Sequence, residues 1–569
     1  MLRVAVALFS LVATVLVLVV PALAAIQVPL RTVTANPNIN VKNEEWDLDK
    51  LPDPNATDHL VFETVHSLLQ HWPNTRMRNG HSIVPGRIPK GTLLYHGTAR
   101  NELPPGPEWV ATDPEHSYLF CRSLPGYVQQ GCWHLTLITT RSLKIVYFDG
   151  SSAAKLPYGT MDTQDLLVWS RSGRHDPFND RQRIQDLCKW GGNFDVDGFV
   201  RMEMDFEVML CDFTSGVSVV SFSNIVGRRN TLMTPADLNS FEVLHAGSWH
   251  NHFPGETRVQ LDLAGLISFY DTQLAPSLID IRADQERWDH RVQNISSEDV
   301  LAAKSRLEST LLRPEGLSSG IDWRTLIQVI IDRYAGRLEL TRYLLNLSVT
   351  DPGEILDLAK KTQIQLRIML TPYLLFSATP TDKSDLNWTI PIFKLCATTH
   401  TYSMDSDLDT MTVSEKLLLQ ALRGTTQEIC RVVTRMWAAG VCAGIDPSLN
   451  TKDTPDIAEV THLWGTWTED LDRLMAWLDW NVWIRCNPGC GPEEMCYLPT
   501  WPAGFPRPRR GPSPPNTDRP QPERLTGFDF RTMVTERLAE EMRPIVKPGP
   551  DDWIRPQPKC IRRIDPYEF

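Results

Sequence analysis

The chain has 569 residues, 42% of them hydrophobic and 22% charged, with a formal net charge of −12. That length exceeds what one compact core supports, so at least two folded units are expected. The acidic balance argues against nucleic-acid or bulk anionic-membrane binding, both of which need a basic face.

Residues 1–25 read as a signal peptide. Met1-Leu2-Arg3 is a short basic start, Val4 to Val20 is apolar, and "PALAA" supplies the small residues cleaved near Ala24 or Ala25. The chain is therefore expected to be secreted or to stay in the secretory lumen. The apolar run approaches the roughly 20 residues that span a bilayer, so an uncleaved signal anchor is the rival reading and the one membrane contact expected. Sequons at Asn55, Asn294, Asn346 and Asn387 and eleven cysteines fit an oxidising compartment that adds N-linked glycans. "CNPGCGPEEMCYLP" brings Cys486, Cys490 and Cys496 together, and with Cys560 these make two disulfides. A metal site is disfavoured because paired C-x-x-C knuckles are absent. Cys430 with Cys442, Cys121 with Cys132, and Cys188 with Cys211 are further candidate pairs, and the odd total leaves one thiol over.

Residues 26–86 form an N-terminal segment with one helix in "ATDHLVFETVHSLLQHW". Residues 87–225 turn strand-like, with β-branched and aromatic runs such as "WHLTLI", "LKIVYF" and "GFVRMEMDFEVMLCDF" bounded by Gly, Pro or Asp. From 237 to 480 the period becomes helical. "SSEDVLAAKSRLESTLL" opens with capping chemistry, Asp351 and Pro352 form a helix start, and "SEKLLLQALRGTTQEICRVVTRMWAAG" runs to a glycine C-cap at Gly440. Trp464, Trp467, Trp477, Trp480 and Trp483 crowd the end of this helical unit as core packing. Residues 481–500 are Cys-rich, and 501–569 form a Pro-rich tail expected to be an extended spacer ending in a short helix, "DFRTMVTERLAEEM".

The chemistry concentrates in "LLYHGT", "WVATDPEHSYLF" and "DGFVRMEMDFEVMLCDF". Together, over about residues 87–213, they resemble the ADP-ribosyltransferase superfamily, His-Tyr-Glu class. In that class a first strand ends in His-Gly-Thr or His-Gly-Ser, a later segment carries a Tyr, and a late strand carries a Glu. The resemblance implies an α+β fold: a split β-sheet domain, here followed by an all-α domain and a disulfide-stapled C-terminal segment. It implies NAD as substrate, no metal, and an unknown acceptor that is either a protein or water. His96, Gly97, Thr98 and Tyr118 would bind NAD and Glu207 would be catalytic. Gly97 would let backbone groups approach the nicotinamide amide, His96 would bond the adenosine ribose, and Tyr118 would stack on the pyridine ring. Glu207 would bind the ribose 2′-hydroxyl beside the developing cation, a contact whose loss costs on the order of 10²–10³ in rate if it is specific to the transition state.

Two positions stay open. Phe120 or Tyr127 could replace Tyr118, and Glu203 or Asp165 could replace Glu207; Asp162, Gln164 and Asp165 are expected in a loop. Glu207 ranks first because the apolar strand "FEVMLC" leaves its charge otherwise unexplained. A different class of function, a non-catalytic secreted glycoprotein that uses the transferase-like unit for binding, stands beside the enzyme. His250 and His252 in "GSWHNHF" lack a nearby acid or Cys and read as surface or turn histidines. "DWRTLIQVIIDRYAGRLEL" and "CGPEEMCYLPTW" are similar to blocks of uncharacterised fungal secreted proteins.

Overall fold

The computed structural model describes residues 46–500 and 555–564, except 119, 121–131, 155–158, 172–178, 226–237, 315, 379–384 and 447–454. The expected signal peptide, most of the Pro-rich tail with its short helix, Cys121 and Tyr127 lie outside the described residues. The fold is mixed α/β, with one large sheet and a helical region.

The described chain begins with α1 (Asp58–Ser67) and α2 (Trp72–Thr75), then β1 (Ser82–Ile88), β2 (Leu93–Thr98), β3 (Glu108–Ala111) and α3 (Pro114–Tyr118). β4 (Cys132–Thr139), β5 (Leu143–Phe148), α4 (Asp162–Trp169), α5 (Asp180–Gly191), β6 (Gly198–Met202), β7 (Phe206–Leu210) and β8 (Val217–Ile225) follow. After α6 (Leu238–Ser248), the short strands β9 (Gln260–Leu261) and β10 (Ile267–Ser268) return to pair with β1. The sheet thus reaches into the range whose period reads as helical, because two-residue strands are too short to show an alternation. The remaining helices are α7 (Ser277–Arg282), α8 (Ser297–Leu311), α9 (Trp323–Leu345), α10 (Pro352–Leu370), α11 (Ile390–Thr398), α12 (Val413–Cys442) and α13 (Ile457–Leu478). A two-stranded antiparallel sheet of β11 (Glu494–Tyr497) and β12 (Lys559–Arg562) ends the described chain. No helix among the described residues is long and apolar enough to cross a membrane.

The large sheet runs β10-β1-β5-β6-β7-β3-β2-β4-β8, and of its pairings only β5 with β6 is parallel. Strand alternation gives it two faces. Val146, Phe199 and Met209 pack on one face with Leu166, Ile184 and Leu307 of α4, α5 and α8. Leu94, Val200 and Val208 face the other way, in a cluster continuous with Val65 of α1 and with Ile327, Leu418 and Trp467 of the later helices. Trp467 and Trp480 are buried, and Trp464, Trp477 and Trp483 pack against the same cluster, as core packing predicts.

The capping chemistry behaves as expected at Ser296 and Asp351, whose side chains accept the backbone N–H groups of Asp299 and Glu354. Gly440 departs from expectation: α12 continues past it to Cys442. A Cβ there would overlap Gln363 Oε1 and fall 2.9 Å from Trp467 Cζ2, so the glycine serves close helix packing rather than a C-cap. Disulfides join Cys188 to Cys211, Cys486 to Cys496 and Cys490 to Cys560. Cys430 pairs with Cys396, tying α11 to α12, and not with Cys442, which stays outside the disulfides. Cys132 is also disulfide-bonded.

Candidate functional site

The sheet nearly parts between β2 and β3, which share a single register pair, Tyr95 with Ala111. On either side the ladders are long: β2 pairs with β4 over six residues, Leu93 to Thr98, and β3 pairs with β7 over four, Glu108 to Ala111. A parted sheet leaves backbone carbonyls without ladder partners. His96 answers one of them, its Nδ1 lying 2.6 Å from the carbonyl of Trp109. Burial pushes the His96 pKa down to about 4, so the ring is neutral and donates Nδ1–H to that carbonyl. Its ring also meets Phe213 edge-on. His96 therefore closes the parted sheet.

Register also decides which residues look the same way, since directly opposed residues share a face. Ala111 lies opposite both Tyr95 and Glu207, and Gly97 lies opposite His134. Tyr95, Gly97, His134 and Glu207 thus share one face, while His96, displaced by one position, does not. The structure brings Gly97, Tyr118 and Glu207 to one side of the sheet and leaves His96 in the gap.

α3 lies against that side. His116 approaches Glu207, with Nε2 to Oε2 at 3.9 Å, and the Ser117 hydroxyl lies 2.9 Å from His134 Nε2 while donating to the Pro114 carbonyl at 2.7 Å. Tyr118 closes the helix with 37% of its surface exposed, and its ring centre is 4.9 Å from that of His134. Burial, and next the Glu115 charge, raise the Tyr118 pKa. Thr98 ends β2, its hydroxyl accepting the Arg100 N–H at 3.3 Å. Phe120 is exposed, Glu203 sits in the β6–β7 turn rather than on a strand, and Asp165 lies in the first turn of α4 rather than in a loop.

Glu207 is 3% exposed and its Oε1 takes the Nε–H of Arg201 directly across the β6–β7 ladder. Arg201 is fully buried and forms a two-pronged bond to Asp180, at 2.9 Å and 2.5 Å. Burial pulls the guanidinium pKa down, and the charges of Asp180 and Glu207 more than reverse it. Asp180 and Asp165 both accept from Arg183, at 3.1 Å and 2.7 Å. The charge in the apolar strand is explained by this chain of alternating ions, which ties the sheet to α4 and α5.

A second polar group sits at the next step along β3 and β7. Their register carries Asp113, just past β3, across from Asp205 in the β6–β7 turn, and Thr112 N–H reaches the Phe206 carbonyl at 3.3 Å. His250, following α6, places Nε2 3.1 Å from Asp113 Oδ2 and 3.5 Å from Glu256 Oε2. Arg258 bridges Asp113 and Glu256 at 2.7 Å and 2.5 Å. Burial alone would raise Asp113, but hydrogen bonds from His250 and Arg258 hold it at about 2. Asp205 is driven well above the carboxylate range by burial first and by the Asp113 charge second. His250 is thus buried among acids, contrary to the surface reading. Asp113 and Asp205 come from segments distant in sequence, whereas Glu256 stands six residues along the chain and is the one local signal.

The family-model match falls on this part of the chain, and the match to one relative extends well beyond it. A family model described as the YPL277C N-terminal domain matches residues 38–131 and 127–239. The chain is similar to the uncharacterized protein YOR389W of Saccharomyces cerevisiae, 23% identical over 583 residues that cover 86% of this chain and 87% of that protein. It is also similar to the uncharacterized protein YPL277C of the same yeast, 25% identical over 378 residues, 50% of this chain and 75% of the relative. No solved structure matches.

Proposed function

We propose that this is a secreted, disulfide-stabilised protein whose sheet is of ADP-ribosyltransferase type and binds an NAD-like dinucleotide without cleaving it. The parting of the sheet at the single Tyr95–Ala111 pair supports the split-sheet reading, because it opens the edge of β2 where Gly97, Tyr118 and His134 meet. A nicotinamide ring would stack on Tyr118, and the backbone at Gly97 would bond its amide. The observation that carries binding over cleavage is the Arg201–Glu207 pair. A carboxylate already paired with a buried guanidinium offers little charge to a developing ribosyl cation, and His96 commits its Nδ1–H to the Trp109 carbonyl. Disulfides in both the sheet and helical regions support an oxidising compartment.

A second reading, NAD-dependent ADP-ribosyl transfer or NAD hydrolysis, is favoured by one observation: Glu207 shares the Gly97 face and turns Oε2 toward His116 on α3. Nicotinamide release from NAD by the oxidised chain separates the two. The binding reading expects none, in the wild type and in Glu207→Gln alike. Release that vanishes in Glu207→Gln would establish the transferase reading in its place.

A further inference from the structure

We infer that Asp113, Asp205 and His250 form a binding site for a divalent transition-metal cation, closed by Glu256. One donor atom from each of Asp113, Asp205 and His250 lies within 4.8 Å of the others, and all three residues are buried. Glu256 Oε2 stands 3.5 Å from the same His250 Nε2.

The independent sign of a missing ligand is Asp205. It is fully buried, its Oδ1 accepts the Phe206 N–H at 2.7 Å, and no donor among the described residues reaches its Oδ2. Leaving a buried carboxylate oxygen without a partner is costly, and native structures fill such places with a proton donor, a water or an ion. The neighbours cannot supply the donor. Arg258 is committed to Asp113 and Glu256, and His250 Nε2 points at Asp113. Three acidic side chains, Asp113, Asp205 and Glu256, thus surround one guanidinium and one imidazole, and a divalent cation that displaces a proton would complete the set. Asp113 Oδ1 keeps a second lone pair beyond its bond to Arg258 at 3.0 Å.

Carboxylate oxygen with one imidazole nitrogen suits Mn²⁺ or Zn²⁺ better than a thiolate-seeking ion. A cation here would tie together the end of β3, the β6–β7 turn and the segment after α6. It would also add positive charge below Tyr95, which already senses the charges of Arg258 and Asp113.

The probe is Mn²⁺, which sulfur ligands hold weakly, so that any reduced cysteine of the C-terminal strand pair does not confuse the reading. The disulfide-intact chain, stripped with chelator and dialysed against Mn²⁺, is expected to retain one ion, and its melting temperature is expected to rise with Mn²⁺ concentration. Asp205→Asn and His250→Gln should each weaken retention at least about tenfold and abolish the rise, with the exposed Asp212→Asn unchanged. Metal-free Asp205→Asn should melt no lower than metal-free wild type, because it replaces a buried acid with an unsatisfied oxygen by a neutral amide of the same shape. Overturning results are a wild type that retains no Mn²⁺ and no Zn²⁺, or retention that persists in both variants.

Discussion

Replacing Arg201 with Met tests whether Glu207 is a structural ion or a spare charge. Arg201 is fully buried and carries bonds to both Glu207 and Asp180. Removing one partner from a buried ion pair costs about 3–5 kcal/mol, because the other charge stays in a medium that cannot solvate it. Here the two carboxylates are not equally exposed to that loss. Asp180 keeps Arg183 at 3.1 Å, whereas Glu207 keeps, among the described residues, His116 at 3.9 Å. The cost should therefore fall at the lower end, about 3 kcal/mol, and most of it should belong to Glu207. Urea unfolding of the oxidised chain, at unchanged slope, reads this as a lower midpoint. The double variant Arg201→Met with Glu207→Met removes the stranded charge and should regain at least about 1 kcal/mol relative to the single. An Arg201→Met midpoint indistinguishable from wild type, or a double variant as weak as the sum of its singles, would refute the argument.

His96 should govern part of the acid sensitivity. Its pKa falls from 6.5 unfolded to about 4 folded, so its contribution is complete above pH 6.5 and is lost as pH falls from 6.5 toward 4. His96→Gln keeps a donor for the Trp109 carbonyl but does not titrate. Its unfolding at pH 5 should take up about one proton fewer than wild type, and equal uptake would contradict the assignment. Gly440→Ala should destabilise by about 1–3 kcal/mol through its clash with Gln363 and Trp467, although alanine is the better helix former; a higher melting temperature would rule out the close packing. Secretion predicts glycans at the exposed Asn294, Asn346 and Asn387. Enzymatic deglycosylation of chain recovered from medium should lower its apparent mass in steps that Asn→Gln substitutions remove one at a time, and an unchanged mass would speak against a secretory route.

Where the sequence is legible, the reason is periodicity or capping. α10 starts at Pro352 behind Asp351 because capping is a local interaction written in neighbouring residues. The Cys486, Cys490, Cys496 and Cys560 set was readable because three of its members sit within eleven residues, whereas Cys396 joins Cys430 across a helix contact that no local pattern marks. Glu207 stood out as a charge in an apolar strand, yet its reason, Arg201, lies one strand over and depends on register. His250 reads from its immediate neighbours as a surface or turn residue because Asp113 lies 137 residues away. Only the antiparallel pairing of β3 with β7 brings Asp113 to Asp205, and pairing is a tertiary fact.

The most direct test is calorimetric titration of the oxidised chain with NAD, paired with an assay for nicotinamide in the same sample. Binding that weakens at least about fivefold in Tyr118→Ala, with no nicotinamide formed, is the predicted result; lost ring stacking is worth roughly 1–3 kcal/mol. Absence of NAD binding to the wild type, or binding indifferent to Tyr118→Ala, would contradict a dinucleotide site at the opening between β2 and β3.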